Sequence, residues 1–378
     1  MKAKIKILFI VSTLQRCGPT NQLFNIVTNL DDQVFDKKII TLSSESQDSL
    51  KSKFVSAGIL VESLNLGRLL GILFGWQRLL LKVKKIAPDV VHTQGIRSDF
   101  YAVRLMSRSL KTVSTLRCIP HEDYPMKYGR VVGKIMANLH LRILRKIDTV
   151  AAVSYTISNT MEKEGLVTTT IQNGCDLIQY NTVSKPYKNE LRRRLSLPQD
   201  KIILISVGHL SKRKDPLTII KAFKFCKSSM RYHLVFIGDG ELKNECMKLS
   251  ASVPNISFIG RVSNVNEYLQ ASDVFLSASL SEGLPNTVLE SLACGIPTIL
   301  TEISQHTEVF PGKLDKFKFF KSGSVNELAS ILDNLDLDVY KALSTRSIVE
   351  NNFDSKKMSV KYQIIYKRLI KVSEDHLK

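Results

Sequence analysis

Long apolar runs are absent from this 378-residue sequence. No stretch reaches the roughly 18 consecutive apolar residues that a membrane-spanning helix requires, so we expect no helix to cross a bilayer. The chain begins with the basic and then apolar letters MKAKIKILFIV. Because no small-residue cleavage site of an export signal follows, we predict that Ile5–Val11 forms a first buried strand.

Cysteine pairs with C-x-x-C spacing are also absent, which leaves a zinc site without support from the sequence. The six cysteines are Cys17, Cys118, Cys175, Cys226, Cys246 and Cys294. Because no export signal is expected, we predict free thiols in a reducing, cytoplasmic compartment.

Acidic residues are scarce: 35 Asp and Glu stand against 54 Lys and Arg, a net charge of +19. No nucleic-acid-binding module is visible, so we expect no nucleic-acid partner. The charge instead favours an anionic membrane surface or an anionic substrate, although solvated helix faces explain part of it. The basic residues are concentrated between positions 97 and 146. They are Arg97, Arg104, Arg108, Lys111, Arg117, Lys127, Arg130, Lys134, Arg142, Arg145 and Lys146.

Short apolar runs alternate with segments of helical periodicity along the whole chain. The length exceeds one ordinary hydrophobic core, so two domains are expected, and the β-α-β alternation predicts parallel, doubly wound α/β sheets. The predicted strands of the first half are Ile5–Val11, Lys38–Leu42, Leu60–Leu64, Val90–Thr93, Thr112–Leu116 and Thr149–Val153. Those of the second half are Ile202–Val207, Leu234–Ile237, Ile256–Ile259, Val274–Leu276 and Thr298–Leu300.

The most apolar predicted helix spans Leu69–Lys85 and contains the letters LLGILFGWQRLLL. A helix buried against the sheet is the favoured interpretation, because a new strand follows at once. An interfacial helix is the alternative, because Trp76 and several lysines lie at its end.

A distinctive turn follows the predicted strand that ends at position 276, where the sequence of residues 277–300 is SASLSEGLPNTVLESLACGIPTIL. It predicts a loop, a short helix capped by Asn286 and ended by a glycine, and a strand. The helix N-terminus offers free N–H groups to a phosphate, and Gly283 permits its close approach. Glu282 and Glu290 bracket the turn, and such carboxylates can accept hydrogen bonds from a vicinal diol.

Three other strand ends carry basic residues or glycines. The sequence of residues 207–216 is VGHLSKRKDP, which predicts a basic loop with Arg213 and Lys214 before a helix start. Fixed cations at such a place neutralise phosphate charge. The segments 238–240 and 260–262 read GDG and GRV; a lone G-x-G is weak evidence for dinucleotide binding.

These motifs resemble the retaining GT-B glycosyltransferases of the family 4 type, in particular a subgroup acting on exopolysaccharide-like acceptors. The resemblance covers nearly the whole chain and is strongest from 201 to 301. It implies that Glu282 contacts the donor hexose, Glu290 the nucleotide ribose and Lys214 the donor diphosphate. His209 stands where an arginine is usual, so Arg213 or Lys212 is expected to compensate. The donor-binding residues implied are Gly18, Gly208, His209, Gly238, Gly240, Gly260, Arg261, Val262, Gly283, Leu284, Pro285, Asn286, Thr287 and Glu290.

The first half contains the residues that the resemblance assigns to the acceptor side. The sequence of residues 115–125 is TLRCIPHEDYP, and residues 117–125 are expected to form a loop after the predicted strand. Arg117 stands where many family members carry a histidine. Arginine cannot serve as a base. The family is thought to react on the front face of the donor, with the leaving phosphate accepting the proton, so a protein base is not required. The acceptor-side candidates are Arg117, His121, Asp123, His92 and Gln94.

The resemblance implies a GT-B fold with two facing Rossmann-like domains and an active site in the cleft. The expected domains are 1–180 and 181–355, with a terminal helix at 356–378 returning to the first domain. The expected reaction transfers a hexosyl group from a nucleoside-diphosphate sugar, most consistently a UDP-sugar, to a lipid-linked or polysaccharide acceptor. The expected location is cytoplasmic, peripheral on the inner face of the cell membrane.

Two rival functions remain open at this stage. A catalytically silent sugar-nucleotide-binding subunit is suggested by the unusual His209 and Arg117, and a sugar-nucleotide epimerase of related fold would need no acceptor. Metal-dependent transferases of the other major fold use an Asp-x-Asp motif. The clear instance here, Asp336–Asp338, lies in a polar segment, so we expect a surface turn, no catalytic metal and no cofactor.

Overall fold

The computed structural model describes residues 3–67, 70–106, 110–312, 317–337 and 345–375; Leu69, Arg108 and Asp338 lie outside these ranges. The chain divides into unit 1, residues 1–174 with 355–378, and unit 2, residues 175–354. The predicted boundary lay after residue 180. The division falls earlier because the Cys175 N–H donates to the Phe353 carbonyl oxygen at 2.7 Å, which ties residue 175 into unit 2.

Unit 1 is built on a parallel sheet whose central strands are apolar and buried. Its strands are β1 (Ile5–Val11), β2 (Phe35–Thr41), β3 (Leu60–Ser63), β4 (Val90–Thr93), β5 (Lys111–Leu116), β6 (Thr149–Ala152) and β7 (Thr169–Thr170). They pair in the order β3-β2-β1-β4-β5-β6-β7. The strand order reverses between β1 and β4, so the carboxyl ends of these two strands form the topological switch point of the sheet.

Helices connect these strands, as the alternating pattern predicts. They are α1 (Gly18–Thr28), α2 (Lys51–Ser56), α3 (Leu70–Ile86), α4 (Ile96–Leu105), α5 (Pro120–Tyr128), α6 (Arg130–Leu144) and α7 (Tyr155–Lys163). Leu79 and Val83 of α3 are buried, which favours the helix packed on the sheet over the interfacial one.

Unit 2 repeats the parallel arrangement in the order β10-β9-β8-β11-β12-β13. Its strands are β8 (Ile202–Val207), β9 (Tyr232–Ile237), β10 (Ile256–Gly260), β11 (Val274–Ser277), β12 (Thr298–Thr301) and β13 (Lys318–Phe320). Its helices are α8 (Lys185–Arg194), α9 (Pro216–Phe225), α10 (Lys243–Ser250), α11 (Val265–Ala271), α12 (Asn286–Ala293), α13 (Ser304–Thr307), α14 (Val325–Asp333) and α15 (Thr345–Asn352).

The last described helix, α16 (Ser355–Asp375), belongs to unit 1. Its Met358, Tyr362 and Tyr366 are buried in the same core as β1 and α1. The Ser359 hydroxyl donates to the Ile26 carbonyl oxygen at 2.9 Å. The predicted return of the terminal helix to the first domain is thus confirmed.

The predicted strands are all present, but the sequence did not predict β7 or β13. Residues 117–125 were expected as a loop, but α5 begins within this segment at Pro120. Pro120 is favourable in the first turn of a helix, and the acidic residues at 122 and 123 suit its positive end. None of the described helices is both long and apolar enough to span a membrane.

Candidate active site

The carboxyl end of β8 opens onto a small pocket in unit 2. Strand β8 ends at Val207, and the following loop brings Arg213 and Lys214 back toward the strand end before α9 begins. The lining residues are Ser206, Val207, Gly208, His209, Leu210, Lys214, Pro216 and Ser277. The pocket therefore contains the basic loop that the sequence predicted.

Glu282 lies beside this pocket and is only 7% exposed. Its Oε1 accepts hydrogen bonds from the Lys214 ammonium and from the Ser279 hydroxyl, at 2.7 Å. Its Oε2 accepts from Arg213 Nη1 at 2.9 Å. Arg213 Nη1 also donates to the Ser281 carbonyl oxygen at 2.8 Å, which fixes the guanidinium. Three residues that the sequence singled out separately thus form one cluster.

The charge of this cluster is fixed by its geometry. Burial by itself would raise the pKa of Glu282, but the attraction of Lys214 and Arg213 outweighs it and lowers the pKa to about 2. Glu282 is therefore ionised at neutral pH, and the two cations stay paired with it.

A buried histidine that the sequence did not single out lies behind the Glu282 cluster. His306 Nδ1 lies 2.8 Å from the Thr301 carbonyl oxygen, so it carries the proton of that bond. His306 Nε2 lies 3.5 Å from the Ser277 hydroxyl, which lies 3.1 Å from the Ser279 hydroxyl. Burial lowers the pKa of His306 to about 4, so the imidazole is neutral at pH 7.

Glu290 projects from α12 and has a different environment. The Tyr180 hydroxyl donates to it, and burial raises the pKa of Glu290 to about 7 despite that bond and the attraction of Lys214. Arg346 on α15 donates to the carbonyl oxygens of Tyr180, at 3.0 Å, and Ala293, at 2.7 Å. It thereby joins the Tyr180 segment to the end of α12. Tyr180 was expected in the first domain, so its contact with Glu290 was not predicted.

The start of α12 differs in detail from the prediction. The N-cap position is occupied by Pro285, and Asn286 is the first helical residue, so the predicted capping role of Asn286 is wrong. Pro285 suits this place because it has no N–H to leave unpaired. The end of the helix is as predicted: Gly295 follows the C-cap with φ of 77°. Leu284 is buried, while Gly283 and Thr287 are partly exposed near the helix start.

His209 points away from this cluster. Its side chain is 65% exposed, and its Nε2 lies 3.1 Å from a Glu241 carboxylate oxygen. His209, which stands where the family 4 type usually carries an arginine, therefore lies against the carboxylate of Glu241.

The glycines at the other strand ends are required by close packing of the backbone. A Cβ on Gly238 would lie 1.9 Å from the Gly208 carbonyl oxygen, and a Cβ on Gly240 would lie 2.3 Å from that of Leu210. The Gly238 N–H donates to the Gly260 carbonyl oxygen at 2.8 Å. Arg261 and Val262 come directly after the end of the outer strand β10, and Arg261 is exposed.

Among the acceptor-side candidates in unit 1, His92 lies inside the core. Its Nδ1 is 2.6 Å from the Tyr366 hydroxyl, and its Nε2 is 2.8 Å from the Thr115 hydroxyl. Burial, with the nearby Arg117 charge, lowers its pKa to about 3. His92 is thus a neutral group that joins β4 and β5 to α16.

Arg117 and Gln94 lie together at the ends of β5 and β4. Arg117 Nε donates to Gln94 Oε1 at 2.8 Å, and its Nη1 donates to Asn173 Oδ1 at 3.1 Å. Gly18, the predicted donor-binding glycine of the first domain, is the first residue of α1 and follows Cys17.

His121 and Asp123 lie in the first turn of α5. His121 is partly exposed, with Nδ1 at 3.1 Å from Glu164 and Nε2 at 3.1 Å from Asn138. These contacts connect α5 to α6 and to the end of α7, and they do not involve Arg117 or Gln94. In the described ranges, no group of three or more His, Cys, Asp or Glu side chains could hold a metal ion.

Two family models together match most of the chain. The model of glycosyltransferase family 4 matches residues 18–179, and that of glycosyl transferases group 1 matches residues 187–343. The first covers most of unit 1 and the second most of unit 2.

Curated relatives and solved structures extend over nearly the full length. The O-antigen biosynthesis glycosyltransferase WclY of Escherichia coli is 25% identical over 97% of this chain and 99% of its own. A UDP-Gal:alpha-D-GlcNAc-diphosphoundecaprenol alpha-1,3-galactosyltransferase of Escherichia coli is 24% identical over 96% of each chain. Anabaena Alr3699/HepE in complex with UDP-glucose has a TM-score of 0.83 at 17% identity, covering 96% of this chain and 100% of its own. The chain belongs to the family 4 glycosyltransferases and has the GT-B fold.

Proposed function

We propose that this protein is a retaining hexosyltransferase that uses a nucleoside-diphosphate sugar and a lipid-linked or growing surface-polysaccharide acceptor. The observation that carries the proposal is the buried Glu282 carboxylate, held by Lys214 and Arg213 at the carboxyl edge of the unit 2 sheet. A UDP-sugar is favoured because one relative uses UDP-Gal and one structural neighbour holds UDP-glucose.

Lys214 and Arg213 are proposed to act on the donor diphosphate. Its negative charge grows as the glycosidic bond breaks, so cations in place stabilise the transition state more than the bound substrate. Both cations are already fixed by Glu282, which avoids reorganisation during the reaction. His209 contributes less than the usual arginine, because its exposed side chain lies against the Glu241 carboxylate.

Glu282 is proposed to orient the donor hexose. A carboxylate has about four acceptor positions, and the three bonds from Lys214, Ser279 and Arg213 leave capacity for a sugar hydroxyl. Because its pKa is about 2, Glu282 accepts that hydrogen bond across the physiological pH range.

Glu290 is proposed to bind the ribose hydroxyls of the nucleotide. Its pKa is about 7 without a ligand. A diol that donates hydrogen bonds to the carboxylate favours the ionised form and therefore lowers this pKa. The remaining donor contacts are proposed to come from the strand ends and from the start of α12. They are Gly18, Gly208, Gly238, Gly240, Gly260, Arg261, Val262, Gly283, Leu284, Pro285, Asn286 and Thr287.

The acceptor is proposed to bind to unit 1 without a protein base. Arg117 cannot accept a proton, and His92 is buried and fully engaged. The leaving phosphate would then take the proton of the acceptor hydroxyl, with retention of configuration. Charge neutralisation by Lys214 and Arg213 makes the proposed reaction independent of metal.

Peripheral membrane binding is proposed to occur through one face of unit 1, called here the α5–α6 surface. Val131, Ile135 and Leu139 are 73%, 63% and 48% exposed, and their four-residue spacing places them in one stripe of α6. A basic stripe runs beside them, which suits an anionic lipid surface. The α5–α6 surface comprises Met126, Lys127, Tyr128, Arg130, Val131, Val132, Lys134, Ile135, Leu139 and Arg142.

One experiment tests the proposed reaction. The purified chain is screened by thermal shift against UDP, GDP, ADP and their sugars, and the stabilising donor is incubated with a membrane extract from a polysaccharide-producing strain. We expect stabilisation by UDP, transfer with the anomeric configuration retained by NMR, and equal rates with and without EDTA. A donor that binds without transfer or slow hydrolysis would favour the silent subunit. Conversion of the sugar without an acceptor would favour the epimerase.

A further inference from the structure

Arg97 and Arg117, which belong to the basic set between positions 97 and 146, differ from the exposed members of that set. Lys127, Arg130, Lys134, Arg142, Arg145 and Lys146 are exposed, whereas Arg97 and Arg117 are only partly accessible and reach inward. A guanidinium that turns away from solvent loses hydration, so its hydrogen-bond partners decide whether it is stable there.

Arg97 lies in the first turn of α4, just after β4. Its Nη1 donates to the Ser43 hydroxyl at 2.6 Å, and Ser43 follows β2 on the other side of β1. The Nε and Nη2 atoms of Arg97 are buried and have no hydrogen-bond partner. Buried polar groups of this kind are rarely left unpaired in native proteins.

Arg117, at the end of β5, also has a buried nitrogen without a hydrogen-bond partner. Its Nε and Nη1 donate to the neutral side chains of Gln94 and Asn173, while its buried Nη2 has no partner. Arg117 lies with Gln94, Thr115, His92 and Thr93 around a narrow crevice at the ends of β4 and β5. An unpartnered guanidinium nitrogen of Arg117 thus lies at this end of the sheet, beside side chains of β4 and β5.

The two arginines reach the same edge of the sheet. Gln94, which holds Arg117, is three positions before Arg97 in the turn that follows β4. This edge is the switch point between β1 and β4, where doubly wound sheets bind their ligands. No described carboxylate forms an ion pair with either arginine.

We propose that Arg97 and Arg117 form a binding site for the phosphate or diphosphate group of the acceptor. The planar fork of a guanidinium matches phosphate oxygens and donates two hydrogen bonds to them. A neutral sugar would not compensate two desolvated cations, whereas a diphosphate diester brings two negative charges. The inference rests on the proposed transfer reaction and adds that the acceptor is anionic near its reacting sugar.

Titration calorimetry with inorganic pyrophosphate tests this site. The full-length chain is first saturated with UDP, which blocks the proposed donor site around Lys214, and pyrophosphate is then titrated. The variants are Arg97→Gln, Arg117→Gln and Arg117→Lys. Arg130→Gln is the matched control, because it removes one exposed positive charge of unit 1. We expect the glutamine variants to weaken pyrophosphate binding at least tenfold, Arg117→Lys to retain part of it, and the control to behave like the wild type.

Unchanged pyrophosphate binding in both glutamine variants, or an equal loss in Arg130→Gln, would overturn the proposal. If Arg117→Gln does not fold, pyrophosphate binding by Arg97→Gln and Arg117→Lys still tests the proposed site. Failure of UDP to bind would instead contradict the proposed transfer function. A second arm compares a soluble sugar alkyl diphosphate with the matching alkyl glycoside as competitors. A preference for the diphosphate that the arginine variants abolish supports an acceptor group, and no preference means that the site holds only free phosphate.

Discussion

Lys214 is the residue whose removal should affect the chemistry of unit 2 most. Its ammonium contacts Glu282 and lines the pocket at the end of β8. We expect Lys214→Ala to lower kcat by about 10²–10³-fold, because the loss of one such electrostatic group costs roughly 3–4 kcal/mol at the transition state. Steady-state kinetics measures this, with Lys212→Ala as the exposed control from the same loop. A near-normal kcat in Lys214→Ala would mean that the diphosphate binds elsewhere.

The two glutamates should separate nucleotide binding from turnover. Glu290→Gln weakens acceptance of hydrogen bonds from the ribose, so we expect the affinity for free UDP to fall about tenfold. Glu282→Gln releases Lys214 and Arg213 from their carboxylate, so we expect unchanged or tighter UDP binding and a lower kcat. Calorimetric titration with UDP and initial rates distinguish the two effects. Equal loss of UDP affinity in both variants would contradict this division.

Glu290 should also leave a signature in the pH dependence of stability. Its pKa is about 7 in the folded chain and about 4.3 when unfolded, so the folded state binds the proton more tightly. Its ionisation therefore destabilises the fold increasingly as pH rises from about 4.5 to 7, by roughly 1–3 kcal/mol in all.

Glu290→Gln removes that titration. We expect it to raise the apparent melting temperature relative to the wild type more at pH 8 than at pH 5. Thermal melts at pH 5, 6, 7 and 8 measure the difference, and Glu302→Gln, at an exposed site, is the control. A difference that does not change with pH would show that Glu290 titrates normally.

At the scale of the elements, a buried polar chain joins α4, α5 and α6 to β4. Thr93 donates to one oxygen of Asp99, and His140 Nε2 lies 2.8 Å from the other. The Tyr124 hydroxyl is 2.8 Å from His140 Nδ1. Asp99 and His140 are 0% and 1% exposed. The helices that present the α5–α6 surface are therefore held in place by Asp99.

Asp99→Ala should destabilise unit 1 strongly. It leaves Thr93 and His140 with unpaired buried polar atoms, and each such atom costs about 1–3 kcal/mol. Urea denaturation followed by circular dichroism measures the loss, and Glu162→Ala, at an exposed position on α7, should be close to neutral. A loss below about 1 kcal/mol would mean that the surrounding groups find other partners.

The positions of most strands along the chain were predictable from the sequence, whereas the side-chain contacts within the site were not. Ile5–Val11 and Val90–Thr93 are predicted residue for residue, because each is an apolar run bounded by polar residues. β7 is too short to show a period, and β13 begins with an exposed lysine. Residues 117–125 were expected as a loop because they follow the end of a predicted strand, yet Pro120 opens a helix there.

The motifs around Lys214 and Glu282 were found because their residue types are tied to local turns. Their direct ion pair joins positions 68 residues apart, and no local pattern encodes such a contact. His306 and Tyr180 were missed for the same reason. The unpaired nitrogens of Arg97 and Arg117 are visible only in three dimensions, since both residues read as ordinary members of a basic segment.

At the scale of the whole molecule, the positive charge is expected to act together with exposed apolar side chains. The net charge of +19 attracts any anionic surface at long range, and this attraction is screened within about 10 Å at 0.1 M salt. The apolar stripe of α6 contributes to binding only once it contacts the membrane, and salt does not weaken this apolar contribution. The two contributions can therefore be measured separately.

We expect the chain to co-sediment with anionic liposomes at low salt and to be released as the salt concentration rises. Each basic residue near the surface contributes about 1 kcal/mol, so joint reversal of Arg142, Arg145 and Lys146 to Glu should abolish binding at 0.1 M salt. Val131→Ser combined with Ile135→Ser should weaken binding at all salt concentrations without changing the slope against salt. Arg193→Glu, an exposed reversal in unit 2, is the control, because a general charge effect would reduce its binding as well. Equal binding of the wild type to neutral vesicles would contradict an electrostatic role, and full binding by the α6 double variant would limit the interaction to charge alone.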